Sequence, residues 1–226
     1  MSDSESRPNQ WFIQFESWAV KHVLRFLPAG AYEKARFLKQ YLGDRVQGID
    51  SAADVGYDEL GFDQKTGSAY NPGSWWDLKA TLGNSVSTED VFIDFGSGKG
   101  RMVYMAARDY PFKKVIGVEI SDRLTAIARA NIQKNLRRLL CRNVELVTAN
   151  VLDYDVPDEV TVVYMFNPFF GDVFANVVGK LLSSLSRRPR RLKLVYRIPT
   201  MHELLVQKGF QVERQLPDLT LYTAGP

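Results

Sequence analysis

The ten residues VFIDFGSGKG at 91–100 decide the fold. A short apolar run ends in Asp94, and three glycines then alternate with Ser97 and Lys99 before the apolar-periodic stretch RMVYMAARDY begins. That is a buried strand turning through a glycine loop into a helix. Glycines there let the backbone approach a ligand without an intervening Cβ and permit positive φ. The helix that follows offers its first N–H groups to an anionic part of that ligand.

Downstream, strand and helix patterns alternate. KVIGVEI (114–120) is a strand, 123–140 a long amphipathic helix, NVELVTA (143–149) a strand and EVTVVYMFN (159–167) the most β-branched strand. A helix over 172–185, the strand LKLVYRI (192–198) and a helix from Pro199 to Gly209 follow. FQVERQL, the turn Pro217-Asp218 and LTLYTA close the chain as a hairpin. Five strand–helix units and a hairpin predict an α/β, doubly wound, mostly parallel seven-stranded sheet with helices on both faces. Ligands of such sheets sit outside the carboxyl ends of the central strands.

Upstream, Trp11, Phe12, Phe15, Trp18, Ala19, Val23 and Phe26 recur at helical spacing until Pro28, and a second helical pattern runs over 31–42 and stops at Gly43. Residues 43–74 lack a clear period, and so long a connection is usually a lid or a wrapping arm. It ends in Tyr70-Asn71-Pro72-Gly73-Ser74, where Ser74 and Asp77 form a capping box opening a helix over 75–82. The expected organisation is a polar tail (1–10), an N-terminal helical cap and cofactor-covering arm (11–87), and a catalytic domain (88–226). The balance of 45% hydrophobic and 24% charged residues is that of a globular protein. A single cysteine, Cys141, and two distant histidines, His22 and His202, exclude a disulfide framework and predict no metal site. No stretch nears the roughly 20 apolar residues needed to span a bilayer, and the start MSDSESRPNQ is no signal peptide, so a cytoplasmic location is expected. A net charge of +3 is too small to argue for nucleic acid.

Spacing sorts the ligands such a loop could hold. A P-loop needs glycine where Ile93 stands, and the dinucleotide fingerprint needs one where Arg101 stands. What remains is D-x-G-x-G-x-G, and an acid two residues before the first glycine repels pyrophosphate but suits an ammonium group. Glu119 ends the second strand, where a carboxylate accepts from both hydroxyls of a ribose. After the third strand, Asn150 and Val151 could bracket an adenine ring. An amino-acid ammonium, a ribose and an adenine together fit S-adenosylmethionine.

These segments resemble the class I S-adenosylmethionine-dependent methyltransferases. VFIDFGSGKGRMVYMAA (91–107) is similar to that family's first motif, VIGVEIS (115–121) to its second and TANVLDY (148–154) to its third, with Asn150 where many members carry Asp. The resemblance covers about residues 70–226. It implies that Asp94, Gly96, Ser97, Gly98 and Gly100 hold the methionine moiety, that Glu119 with Ile120 beside it holds the ribose, and that Asn150 and Val151 meet the adenine. Tyr70-Asn71-Pro72-Gly73-Ser74 followed by DFGSGKGR is also similar to prokaryotic-type lysine methyltransferases and to those of the telomeric-silencing disruptor type, in which an arm before the first motif covers the cofactor.

The fourth strand ends Asn167-Pro168-Phe169-Phe170. It is similar to the [DN]-P-P-[FY] motif of amino-methyltransferases, where the Asn or Asp oxygen and a proline carbonyl accept from the target NH2 and the aromatic ring stacks on the acceptor. Phe169 replaces the second proline. Methyl transfer from a sulfonium is an in-line displacement that needs no metal, and the expected acceptor is a nitrogen of a protein side chain or a small metabolite. Small-molecule O-methylation, a nicotinamide-dependent oxidoreductase and a non-catalytic S-adenosylmethionine-binding scaffold are the alternatives. Carboxylates, or tyrosines such as Tyr70 and Tyr196, are the candidate bases. The runs Arg187-Arg188-Pro189-Arg190-Arg191-Leu192-Lys193 and Arg137-Arg138 precede strands, at the edge opposite the expected site, and are expected to be solvated loops.

Overall fold

The computed structural model describes residues 29–53, 55–56 and 70–226. The expected helix over 11–27, the tail 1–10, His22 and residues 57–69 of the arm lie outside the described residues.

Seven strands form one sheet in the order β3-β2-β1-β4-β5-β7-β6. They are β1 Val91–Phe95, β2 Lys114–Glu119, β3 Val144–Thr148, β4 Val160–Phe166, β5 Leu192–Arg197, β6 Gln211–Leu216 and β7 Leu219–Ala224. The first five run parallel, and β7 pairs antiparallel with both β5 and β6. The winding direction reverses between β1 and β4, which opens a crevice beyond their carboxyl ends. Among the described residues six α-helices accompany the sheet: α1 Ala29–Gln47, α2 Asp77–Leu82, α3 Arg101–Asp109, α4 Asp122–Lys134, α5 Gly171–Arg187 and α6 His202–Gln207.

Every residue of β1 is buried, as its unbroken apolar run requires for a central parallel strand. Val91, Ile93 and Phe95 pack with Phe174, Val177 and Leu181 of α5, while Phe92 faces Val103 of α3 and Leu78 of α2 on the opposite side. Each such side chain contributes roughly 1.5–3 kcal/mol by leaving water. The alternation puts Asp94 on the face of Phe92, opposite Tyr164 in the β1–β4 register.

The largest departures from the sequence expectation are at three helix ends and one connection. α1 runs through Gly43 to Gln47, because the missing side chain at Gly43 makes room for Trp75: a Cβ there would lie 2.4 Å from Nε1 of the indole. Gly48, at φ +73°, ends the helix, and the N–H groups of Gly48 and Ile49 both donate to the Asp44 carbonyl. α4 stops at Lys134 rather than 140, since the buried Asn135 leaves helical geometry and donates from Nδ2 to the carbonyls of Gly48 and Asn131. No helix follows β3; residues 149–159 cross to β4 through turns, so the strand–helix units number four rather than five. α6 begins at His202, not Pro199, because Ile198 sits at φ +51° and Thr200 N–H turns back to its carbonyl.

α1 is inverted in polarity. Its inward side carries Gln40, Asp44 and Gln47, which bond to Arg101, Tyr104, Arg108 and Arg138. Phe37, Leu38, Tyr41, Leu42 and Val46 point outward.

Candidate active site

Gly96, Gly98 and Gly100 all adopt positive φ (74°, 53° and 79°), as their alternation predicted. Each is also packed where a Cβ would collide: Gly96 against Pro168 (2.6 Å), Gly98 against the Tyr70 ring (2.2 Å) and Gly100 against Ala128 (2.8 Å). The loop bends toward β2, with the N–H groups of Gly96 and Ser97 donating to the Val118 carbonyl.

Glu119, buried at the end of β2, closes this bend. Its Oε2 accepts the Gly98 N–H at 2.8 Å and its Oε1 the Ser121 N–H at 2.9 Å. The Ile120 N–H bears on it as well, and since a carboxylate has about four acceptor positions, room remains for a ligand hydroxyl. Asp94 is buried beside it and, among the described residues, accepts no hydrogen bond. Burial first, then the Glu119 charge, holds the Asp94 carboxyl well above the usual carboxylate range, and burial raises Glu119 as well. Two carboxyls in one crevice, one without a donor, favour a cationic ligand group. Ser97 Oγ, in the loop, and Thr148 Oγ1, opposite Glu119 in the β2–β3 register, are also buried without partners among the described residues.

Next to Glu119, the Ala149 N–H donates to the Glu119 carbonyl, which brings Asn150 and Val151 beside the exposed Ile120. Asn150 Oδ1 accepts the Leu152 N–H at 2.9 Å, so this side chain shapes its own turn. That turn is held from below by Lys180 of α5, whose ammonium donates to the carbonyls of Val151 (3.3 Å), Leu152 and Tyr154 (2.9 Å).

At the end of β4, Asn167 takes φ +44°, and its Oδ1 accepts from Tyr196 Oη at 3.1 Å and Thr200 Oγ1 at 2.6 Å. Its carbonyl thus already receives two hydroxyls. Pro168 seals the glycine loop at Gly96, and the half-buried Phe170 precedes α5. Phe169 turns the other way, into the core beside Phe174, whose ring stacks on Tyr196 at 5.3 Å.

Tyr70 lies over the loop rather than at the end of β4. It pairs with Val55 in an isolated antiparallel bridge, and its hydroxyl donates to the Ser51 carbonyl at 2.8 Å. Arg101 anchors the same strap, and its position just after the glycines gave no sign of it. The buried guanidinium pairs with buried Asp44 at 2.8 Å, donates to Ser51 Oγ and the Gly73 carbonyl, and stacks over Trp75 at 4.8 Å. Asp77 reaches beyond its capping role. It accepts the Ser74 N–H, but the helix starts at Asp77 rather than 75 and its N-cap, Trp76, makes no side-chain cap bond, so the expected capping box is only half formed. Asp77 also accepts Tyr164 Oη at 2.7 Å and Arg197 at 2.9 Å. These contacts are far apart in sequence, so no local pattern announces them.

His202 bonds through Nδ1 to Tyr222 Oη at 2.7 Å, away from the crevice. The basic run 187–193 is solvated over most of its length, as expected: Arg187, Arg188 and Arg191 are exposed and Arg187 pairs with Asp158 at the surface, while the half-buried Arg190 donates to the Val160 and Ser184 carbonyls and Lys193 to Ser85. No helix of the described residues is long and apolar enough to cross a membrane, and no group of three or more His, Cys, Asp or Glu there could hold a metal ion.

Residues 92–189 match the family model described as "Methyltransferase domain". A protein-lysine N-methyltransferase of Saccharolobus islandicus (strain REY15A) is 41% identical over 81 residues, which is 36% of this chain. The chain spans about half the length of that relative (48%). Among solved structures, the human methyltransferase 10 domain containing protein superposes with a TM-score of 0.53 at 14% identity, over 85% of this chain and 96% of that one. The ribosomal protein L11 methylase of Lactobacillus delbrueckii subsp. bulgaricus gives 0.53 at 16%, over 72% and 83%. The sheet order and the glycine loop agree with the matched family model: residues 92–189 form an S-adenosylmethionine-dependent methyltransferase domain on a class I-like sheet.

Proposed function

We propose that the chain transfers a methyl group from S-adenosylmethionine to a nitrogen, on a protein side chain or a small metabolite, with a protein lysine as the favoured acceptor. The observation that carries the cofactor half is Asp94, a buried carboxyl with no donor among the described residues and a second acid beside it. The lysine preference is supported by the identity shared with the archaeal protein-lysine methyltransferase.

S-adenosylmethionine supplies the methyl group from its sulfonium, by in-line displacement. The chain's residues bind and orient. Asp94 and the glycine loop receive the amino-acid end, Glu119 the ribose hydroxyls, and the turn at Asn150-Val151 with Ile120 the adenine. Asn167, Pro168 and Phe170 border the acceptor side, and Phe169 supports them from the core. Holding nucleophile and methyl in line can lower the barrier by about 7–11 kcal/mol.

A lysine must enter as the free amine, which costs roughly 4–5 kcal/mol at neutral pH. The two tyrosines offered by the sequence as bases act as donors: Tyr70 to Ser51, and Tyr196, whose hydroxyl burial pushes up, to Asn167. With both tyrosines so engaged, an amine that loses its proton to water before attack gives a turnover that rises with pH toward the acceptor's own pKa. An amide or aromatic amine acceptor would give a flat profile instead.

The test is incubation of the purified chain with a lysate and methyl-labelled cofactor, followed by separation of protein, RNA and small molecules. Label in protein, recovered as methyl-lysine, supports the reading. Label only in RNA or on oxygen overturns the acceptor assignment, and failure to bind S-adenosylhomocysteine overturns the cofactor assignment.

A further inference from the structure

We propose that the outward face of α1 is the seat of the chain's own upstream segment, residues 11–27, which folds back on it as a helical hairpin. A surface helix normally turns its apolar stripe to the body and its polar side to water. α1 does the opposite. Gln40, Asp44 and Gln47 bind the arginines of the domain, while Phe37, Leu38, Tyr41, Leu42 and Val46 are 43–74% exposed. At 100° per residue those five cover about half the helix circumference. The same arc holds Lys34 and Arg45, the latter with its guanidinium over the Tyr41 ring at 5.9 Å, and so large a mainly apolar face marks an interaction site. It continues into a groove of about 940 Å³ in which Leu42 and Val46 face Trp75 and Trp76.

The sequence states what would cover it. Trp11, Phe15, Trp18, Val23 and Phe26 recur at helical spacing, so the segment has an apolar stripe of its own that needs a partner. It ends at Leu27-Pro28, immediately before α1 begins at Ala29. Proline ends the preceding helical run and is tolerated in the first turn of the next. Connections this short make successive helices antiparallel neighbours. The lengths agree too, since 17 residues at a rise of 1.5 Å span about 26 Å, against about 28 Å for the 19 residues of α1. Docking buries both stripes at once and leaves Lys21 and Arg25 for the solvent side.

Hydrogen–deuterium exchange on the full chain, read by mass spectrometry at two protein concentrations, tests this. Amides of 11–27 should exchange about tenfold or more slowly than in the isolated peptide, independently of concentration. The double variant Leu38→Asp, Leu42→Asp should remove that protection while residues 91–95 stay protected, which shows that the domain still folds. Exchange at the peptide rate in the unaltered chain overturns the proposal, as does protection that survives the double variant. Protection only at the higher concentration assigns the face to a second copy, and protection only with added anionic vesicles assigns it to a membrane. Either result likewise overturns the hairpin.

Discussion

Tyr70 and Gly98 are in contact so close that a Cβ on Gly98 would stand 2.2 Å from Cε2 of the tyrosine ring. The strap preceding the domain and the cofactor loop are therefore one packed unit. Gly98→Ala meets two penalties, a left-handed backbone at φ +53°, worth about 1–2 kcal/mol for alanine, and the displaced ring. The double variant Gly98→Ala, Tyr70→Ala should recover only the second. A thermodynamic cycle on melting and on S-adenosylhomocysteine affinity separates the two. If Gly98→Ala costs as much without the ring as with it, the contact does not exist in solution.

Asp94 gives opposite signs for stability and binding. Its folded pKa lies above the usual value near 3.8, through burial and then the Glu119 charge. Its contribution to stability is thus most favourable below that value and is lost as pH rises through the folded pKa. Asp94→Asn should accordingly melt higher than the natural chain at neutral pH without cofactor, with the gap shrinking toward pH 4. The same variant should gain less from added S-adenosylmethionine, because the carboxylate that meets the ammonium is gone. A variant that loses both stability and binding would show that Asp94 is a structural acid.

Lys180 touches no cofactor atom in this reading, yet it holds the turn that would bracket the adenine through three carbonyls. Lys180→Met should weaken S-adenosylhomocysteine and methylthioadenosine by the same factor, about tenfold or 1.4 kcal/mol. Asp94→Asn should instead weaken only the ligand that carries the amino-acid end. Calorimetry with both ligands reads the difference, and a Lys180→Met effect confined to S-adenosylhomocysteine would refute the adenine assignment.

What was legible in the sequence is what depends on neighbours along the chain. The D-x-G-x-G-x-G spacing places three positive-φ turns and a buried acid with no distant information, the apolar runs place six strands, and the turn Pro217-Asp218 places the polar β6. Gly43 shows the limit, since a helix glycine reads as a stop unless one knows that Trp75, 32 positions on, packs against it. Arg101, Asp44, Asp77 and Lys180 escaped for the same reason: each acts on a segment more than 20 residues away. Phe169 and Phe170 stand side by side in one motif, and only the strand's exit angle decides that Phe169 enters the core.

Asn167 combines strain with chemistry, and the two can be separated. Asparagine tolerates φ +44° better than most residues, and glycine better still. Asn167→Gly should therefore keep the melting temperature while removing the amide that borders the acceptor. Thr200→Val removes the closer of the two hydroxyls that fix that amide, the one at 2.6 Å, and leaves Tyr196 in place. Turnover should fall in both, about a hundredfold for Asn167→Gly and severalfold for Thr200→Val, with the affinity for S-adenosylhomocysteine unchanged. Thr200→Ser restores the donor and should restore the rate. If Asn167→Gly turns over normally, Asn167 serves only to bend the chain, and the acceptor is held by other groups.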